Sequence, residues 1–211
     1  MTTPPHEPRP LCPACKRPLR ACICRWATPT GNLIDVLLLQ HPLEVGNAKN
    51  SLRLLQLSLA RRTVAVGEQF APDELAQMLS GPGLLPGGAA PLLLYPETPD
   101  MPAAPVPRVD AGRPLRLVVL DATWRKSRKM LALNPALQAL PRLALHAPPP
   151  SRYLIRKAHR ADQISTLEAV CHALAQLEGD SARYLPLLAA FDGFVAQQLD
   201  CRNAISLATP R

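Results

Sequence analysis

Apolar residues in this chain fall into two kinds of stretch: short, almost unbroken runs, and longer segments in which they recur every three or four positions. The short runs are Leu33 to Gln40, broken only by Asp35; Val64 to Val66; Leu92 to Tyr95; Leu117 to Asp121; and Arg142 to Leu145, apolar after Arg142. A run without polar alternation reads as a strand buried on both faces. The periodic segments predict helices over Asn50 to Ala60, Pro72 to Leu79, Trp124 to Leu133, Thr166 to Leu177 and Arg183 to Leu199. Asn50 or Ser51 is the expected cap of the first, while Pro72 suits a first helical position, with Asp73 and Glu74 near the positive end of the dipole. Strand and helix alternate. The pattern therefore predicts an α/β fold, a mostly parallel sheet with helices on both faces.

Breaks in the pattern are dominated by proline. Pro42 ends the first strand just after Gln40 and His41. Between Gly81 and Pro114 nine prolines and five glycines interrupt the chain, so this segment reads as loop, strand and loop, with Asp100 to Gly112 expected to be mobile. Pro148-Pro149-Pro150 is expected to be stiff and extended.

At 211 residues, 47% of them apolar, the chain can bury a sizeable core in one medium domain. Its 24 Lys and Arg against 16 Asp and Glu give a formal charge of +8, which favours a polyanionic partner such as nucleic acid. No run is long enough to span a bilayer, and Met1 to Pro10 lacks the apolar core of a signal peptide, so a soluble, cytoplasmic protein is expected. Internal repeats, G-x-G-x-x-G, Walker A and H-E-x-x-H motifs are absent.

Four of the six cysteines lie close together, Cys12, Cys15, Cys22 and Cys24, spaced C-x2-C-x6-C-x-C. Thiolates at that spacing can surround one tetrahedral Zn²⁺. Two disulfides would require an oxidising compartment, and a redox pair would need a preceding strand and a following helix. With Lys16, Arg17, Arg20, Arg25 and Trp26 nearby, the expected product is a basic zinc knuckle able to touch a phosphate backbone. Cys171 and Cys201 read as ordinary thiols.

Ligands in open α/β sheets sit beyond the carboxyl ends of strands, which makes Asp121, Thr123 and Trp124 site candidates. The competing reading has Asp121 as the cap of the following helix and Trp124 as a core anchor. Ser165-x-x-Glu168 opens an apolar helical run and matches a capping box. His41 and Glu44 follow a strand end and read as structural before catalytic; His146 and His159 have weaker claims.

The strings Cys12-x2-Cys15-x6-Cys22-x-Cys24, Gln40-His41-Pro42-x-Glu44, Leu92-Leu93-Leu94-Tyr95-Pro96, Asp121-x-Thr123-Trp124 and Ser165-Thr166-Leu167-Glu168-Ala169, in that order, resemble the DTW-domain family. The resemblance runs from Cys12 to at least Ala169. It implies a SPOUT-related fold with a C-terminal trefoil knot that binds S-adenosylmethionine, and transfer of its aminocarboxypropyl group to N3 of a tRNA uridine. On that basis residues 1–27 form the tail and the four-cysteine zinc knuckle, and 28–211 the catalytic domain. Asp121 is then expected to act as base or orienting group, Thr123 to hydrogen-bond either ligand, and Trp124 to stack a base drawn out of the RNA or pack beneath the cofactor. Tyr95, Pro96, Leu120, Ser165, Thr166, Leu167 and Glu168 are expected around the cofactor, Glu168 in a structural role. Two basic runs flank the site, Arg125, Arg128 and Lys129 on one helix face and Arg152, Arg156, Lys157 and Arg160 further on, and are expected to meet RNA. The alternatives are a methyltransferase on the same fold and a non-catalytic, zinc-containing RNA-binding protein.

Overall fold

The computed structural model describes residues 10–81, 88–98, 114–145, 151 and 164–207, the last six of these as backbone only. Asp100 to Gly112, His146, Pro148 to Pro150, His159 and the basic run Arg152, Arg156, Lys157 and Arg160 lie outside the described residues. The other residues of 146–150 and 152–163 lie outside them as well.

Five strands form one parallel sheet in the order β2-β1-β4-β3-β5. They are β1 (Asp35–Gln40), β2 (Arg62–Val66), β3 (Ala90–Leu94), β4 (Leu115–Asp121) and β5 (Arg142–Leu143). The central pair, β1 and β4, is the most apolar because side chains on both of its faces are covered. On one face Val36, Leu38, Leu117 and Val119 pack against α1 (Leu52–Ser58), α5 (Thr166–Glu178) and α6 (Leu185–Leu207). On the other, Leu37, Leu39, Leu93 and Val118 pack against α2 (Pro72–Ser80), α3 (Trp124–Leu133) and α4 (Pro135–Gln138). Each fully buried Leu or Val contributes about 1.5–3 kcal/mol of transfer free energy, so these two layers carry the fold.

Chain order fixes where a ligand can enter. From β1 the chain moves outward to β2 through α1 on one face; from β4 it moves the opposite way, through α3 and α4 on the other face, to β5. The connections diverge between β1 and β4, leaving a crevice at the carboxyl ends of those two strands. Their last residues, Gln40 and Asp121, stand side by side in register.

Boundaries shift for local reasons. The N-cap position of α3 is Thr123, so Asp121 is the last residue of β4 and not the helix cap. α4 starts at Pro135, whose fixed φ suits a first helical position, and is too short to show periodicity. α6 is preceded by a 3-10 turn, Ala182–Tyr184, and runs on to Leu207. Among the described residues no helix is long and apolar enough to cross a membrane.

A candidate active site at the sheet switch point

Asp121 is only 4% exposed, and its carboxylate gathers three elements. Oδ2 accepts from Gln40 Nε2 at 2.9 Å and from Asn50 Nδ2 at 2.7 Å. Oδ1 accepts from Thr166 Oγ1, in the first turn of α5, at 2.7 Å. A carboxylate offers about four lone-pair positions, so with these three donors among the described residues Oδ1 can still accept one more. Asn50 is held at both ends, because its Oδ1 accepts from the Leu52 amide at 2.7 Å and so caps α1. Ser51, in the N-cap position, turns its Oγ to the Leu167 amide at 3.4 Å instead.

The N-terminus of α5 is closed by its own residues. Ser165 Oγ accepts from the Glu168 amide at 3.2 Å, and the Glu168 carboxylate accepts from the Ser165 amide at 2.8 Å and from Ser151 Oγ at 2.8 Å. This is the capping box expected from the sequence, with Leu167 and Glu168 both buried.

Trp124 is 46% exposed and therefore not a core anchor. Its ring meets Tyr95 edge to face, with centroids 5.8 Å apart and planes at 73°. The Tyr95 hydroxyl lies 3.4 Å from Ser127 Oγ, and the Arg142 guanidinium sits 5.3 Å from the Tyr95 ring centroid. Arg142 donates through Nη1 to Thr98 Oγ1 at 3.0 Å and more weakly to the Pro96 carbonyl at 3.4 Å. It is 7% exposed, and its Nε is buried without an acceptor among the described residues. Thr123 and Pro96 are exposed at the rim, and Leu120 is partly buried on the α2–α3 face.

Behind the rim, charges lock α3 in place. Glu44, buried, accepts from Lys126 Nζ at 3.0 Å; Glu68 accepts from Lys129 Nζ at 2.8 Å. His41 Nδ1 accepts from the Leu43 amide, so its Nε2 carries the proton and donates to Glu68 at 3.1 Å. Lys129 and His41 hold the Glu68 carboxyl below the usual carboxylate range. His41 is thus committed to structure, and Arg125 and Arg128 project as exposed cations beside Lys129.

The four cysteine sulfurs lie within 4.8 Å of one another and form no disulfide. Cys12 Sγ is 3.6 Å from Cys24 Sγ, and Cys15 Sγ is 3.8 Å from Cys22 Sγ. A tetrahedron with Zn–S bonds of about 2.3 Å has sulfur–sulfur edges of about 3.8 Å, so the separations fit one shared metal ion. Backbone amides of Cys15 and Ala14 pull the Cys12 thiol down to about 6, whereas loss of hydration and the neighbouring thiols push Cys24 up to about 12. Four thiols this close cannot all ionise without a cation among them.

A family profile described as DTW domain matches residues 9–199. The chain belongs to the DTW domain family. Its relatives include tRNA-uridine aminocarboxypropyltransferase 2 of Drosophila melanogaster, 32% identical over 182 residues that cover 82% of this chain and 69% of the relative. The Mus musculus protein of the same name is 26% identical over 209 residues, covering 96% of this chain and 68% of the relative. tRNA-uridine aminocarboxypropyltransferase A of Arabidopsis thaliana is 26% identical over 203 residues, covering 83% and 75%. No solved structure matches. The Asp121-x-Thr123-Trp124 element straddles the end of β4 and the start of α3, with Asp121 bonded into a buried network and Trp124 half exposed.

Of the residues singled out from sequence, Asp121 and Thr166 come together directly, and Tyr95 and Trp124 form a second group. Asn50, Lys126, Ser127 and Arg142 were not anticipated as site residues. Asn50 read only as a helix cap, a role it also fills; Arg142 stood at the head of a short apolar run, where its charge gave the only signal.

Proposed function

We propose that this chain transfers the 3-amino-3-carboxypropyl group of S-adenosylmethionine to N3 of a uridine in tRNA, releasing methylthioadenosine. The observation that carries the reading is the Asp121 carboxylate, anchored by Gln40, Asn50 and Thr166 at the switch point of the sheet. The names of the relatives supply the reaction class.

The bound sulfonium offers a carbon that a nucleophile can attack, with a neutral thioether leaving. Uracil N3 must lose a proton to attack, and the open lone pair of Asp121 Oδ1 takes it. Thr166 holds that oxygen, and Gln40 and Asn50 hold its partner Oδ2, so the carboxylate needs no reorganisation. Trp124, half exposed, offers a ring face for the uracil. The first-turn amides of Leu167 and Glu168 are already taken by Ser51 and Ser165, so the donor's carboxylate is assigned to Arg142, whose buried guanidinium has hydrogen-bonding capacity left. Tyr95, Pro96 and Leu120 line the donor on the β3–β4 side, Ser165 and Glu168 fix the α5 end, and Thr123 hydrogen-bonds at the mouth. Arg125, Arg128 and Lys129, with Arg152, Arg156, Lys157 and Arg160, contact tRNA. A structural Zn²⁺ is held by Cys12, Cys15, Cys22 and Cys24, whose free thiols suit the reducing cytoplasm. The reading includes the SPOUT-related fold and its C-terminal knot.

Undermodified tRNA incubated with S-adenosylmethionine labelled in either the methyl or the carboxypropyl carbons tests the proposal. Carboxypropyl label is expected in RNA and methyl label in methylthioadenosine. Methyl label in RNA would assign the methyltransferase instead, and a folded, metal-loaded sample that binds no S-adenosylmethionine in a calorimeter would leave an RNA-binding module.

A further inference from the structure

We propose that Arg17 is a positioning residue that links the cysteine knuckle to the active site, so that metal loading sets the placement of Asn50 and, through it, of Asp121. The catalytic part of this inference rests on the function proposed above and on the four thiols acting as metal ligands.

Arg17 leaves the knuckle at a fixed angle. The Cys12 amide donates to the Arg17 carbonyl at 2.7 Å and the Lys16 amide donates to the Cys12 carbonyl at 2.8 Å, closing a turn in which Lys16 takes a φ of 57°. Cys12 and Cys15, which would be two of the metal's ligands, both belong to this turn, so a bound metal would fix it further. The Arg17 guanidinium then crosses 5.2 Å from the centroid of Phe194, on α6. From there Nη2 donates to the Ala48 carbonyl at 2.5 Å and, more weakly, to the Asn50 carbonyl at 3.5 Å. With its amide turned to satisfy both ends, Gln198 accepts from Arg17 Nη1 at 3.2 Å and donates to the Ala48 carbonyl at 3.1 Å. A second strut joins Arg53 of α1 to the Ala14 carbonyl within the knuckle.

What Arg17 grips is the segment that aims Asn50. Residues 45–49 are largely exposed, while Asn50 itself is buried with its amide nitrogen 2.7 Å from Asp121 Oδ2. Path lengths are short: one side chain from knuckle to loop, one more from loop to carboxylate. Arg17 is half-buried and makes these contacts inside the molecule, whereas Lys16, Arg20 and Arg25 of the same knuckle are exposed.

Hydrogen exchange and kinetics on the full, metal-loaded chain test this. In Arg17→Ala, amides of residues 47–52 should exchange about tenfold faster, with β1 and β4 unchanged. Stripping the metal from the wild type should loosen the same amides, and stripping it from Arg17→Ala should add nothing at residues 47–50, which lie before the α1 end that Arg53 ties to the knuckle. If stripping unfolds the chain throughout, the metal-loaded Arg17→Ala comparison decides alone. Unchanged exchange at 47–52 in that variant overturns the proposal whatever reaction the protein catalyses. In turnover, Arg17→Ala should lower kcat about tenfold at unchanged KM for tRNA, and Arg17→Ala combined with Asn50→Ala should be no slower than Asn50→Ala alone. A raised KM at full kcat would make Arg17 an RNA contact, and additive losses would make it a general support; either outcome overturns the link. A wild type without aminocarboxypropyl transfer defeats the proposed function and leaves the exchange result to judge the strut.

Discussion

Asp121 does two jobs that one substitution can separate. Asparagine is isosteric and can keep all three hydrogen bonds, turning its carbonyl to Gln40 and Asn50 and its amide to the Thr166 oxygen. The network survives and the charge does not. Asp121→Asn is therefore expected to unfold within a few degrees of the wild type while single-turnover transfer falls about 100-fold or more, the scale of a lost general base. Transfer above a tenth of the wild-type rate would leave Asp121 as an organiser only. At Trp124 the balance is reversed, since a ring 46% exposed contributes little to the core. Trp124→Ala should cost little thermal stability but weaken binding of the tRNA substrate by about 1–3 kcal/mol, the worth of one stacked base. Fluorescence anisotropy with labelled tRNA measures it, and unchanged affinity would remove the stacking role.

Two helices carry predictions that run against simple propensity. Glycine inside a helix costs about 1 kcal/mol relative to alanine, so Gly193→Ala in α6 ought to stabilise. Here an added Cβ would overlap the Trp26 ring, which is seated on that glycine and donates to Gln197 at 2.6 Å. Gln197 in turn donates to the Cys22 carbonyl at 3.0 Å, so α6 clasps the knuckle. Gly193→Ala is expected to lose about 1–3 kcal/mol and to shift the tryptophan emission; a rise in Tm would show that the seat is not tight. In α5, Ser165→Ala removes the cap and strands the Glu168 amide, costing about 0.5–2 kcal/mol and lowering Tm by roughly 2–6 °C. Periodicity made these helices legible, and unbroken apolar runs made β1 and β4 legible, because complete burial leaves a one-dimensional trace. α4 left none, having four residues and a proline start. The long-range roles of Arg17 and Asn50 were illegible for another reason: their contacts, 31 and 71 residues distant in sequence, depend on how layers meet.

At the scale of the molecule, a charge of +8 says that a polyanion is welcome but not which cations meet it. Sequence grouped Arg125, Arg128 and Lys129 by helical spacing and could not show that neighbouring Lys126 points the other way, onto buried Glu44. The structure divides them: Arg125 and Arg128 are exposed, Lys129 spans to Glu68, and Lys126 neutralises a carboxylate that is 2% exposed. Salt dependence should report that division, because each phosphate neutralised on a single strand adds about 0.7 to the slope of log affinity against log salt, and about 0.9 on a duplex. Arg125→Ala and Arg128→Ala should each flatten the slope for tRNA by roughly that amount, with Tm nearly unchanged. Lys126→Ala should leave the slope alone and lower Tm instead, since it removes a cation paired with a buried acid. If Lys126→Ala flattens the slope as much as Arg128→Ala does, then Glu44 is not its partner in solution and the face of α3 that meets RNA is wider than the structure assigns.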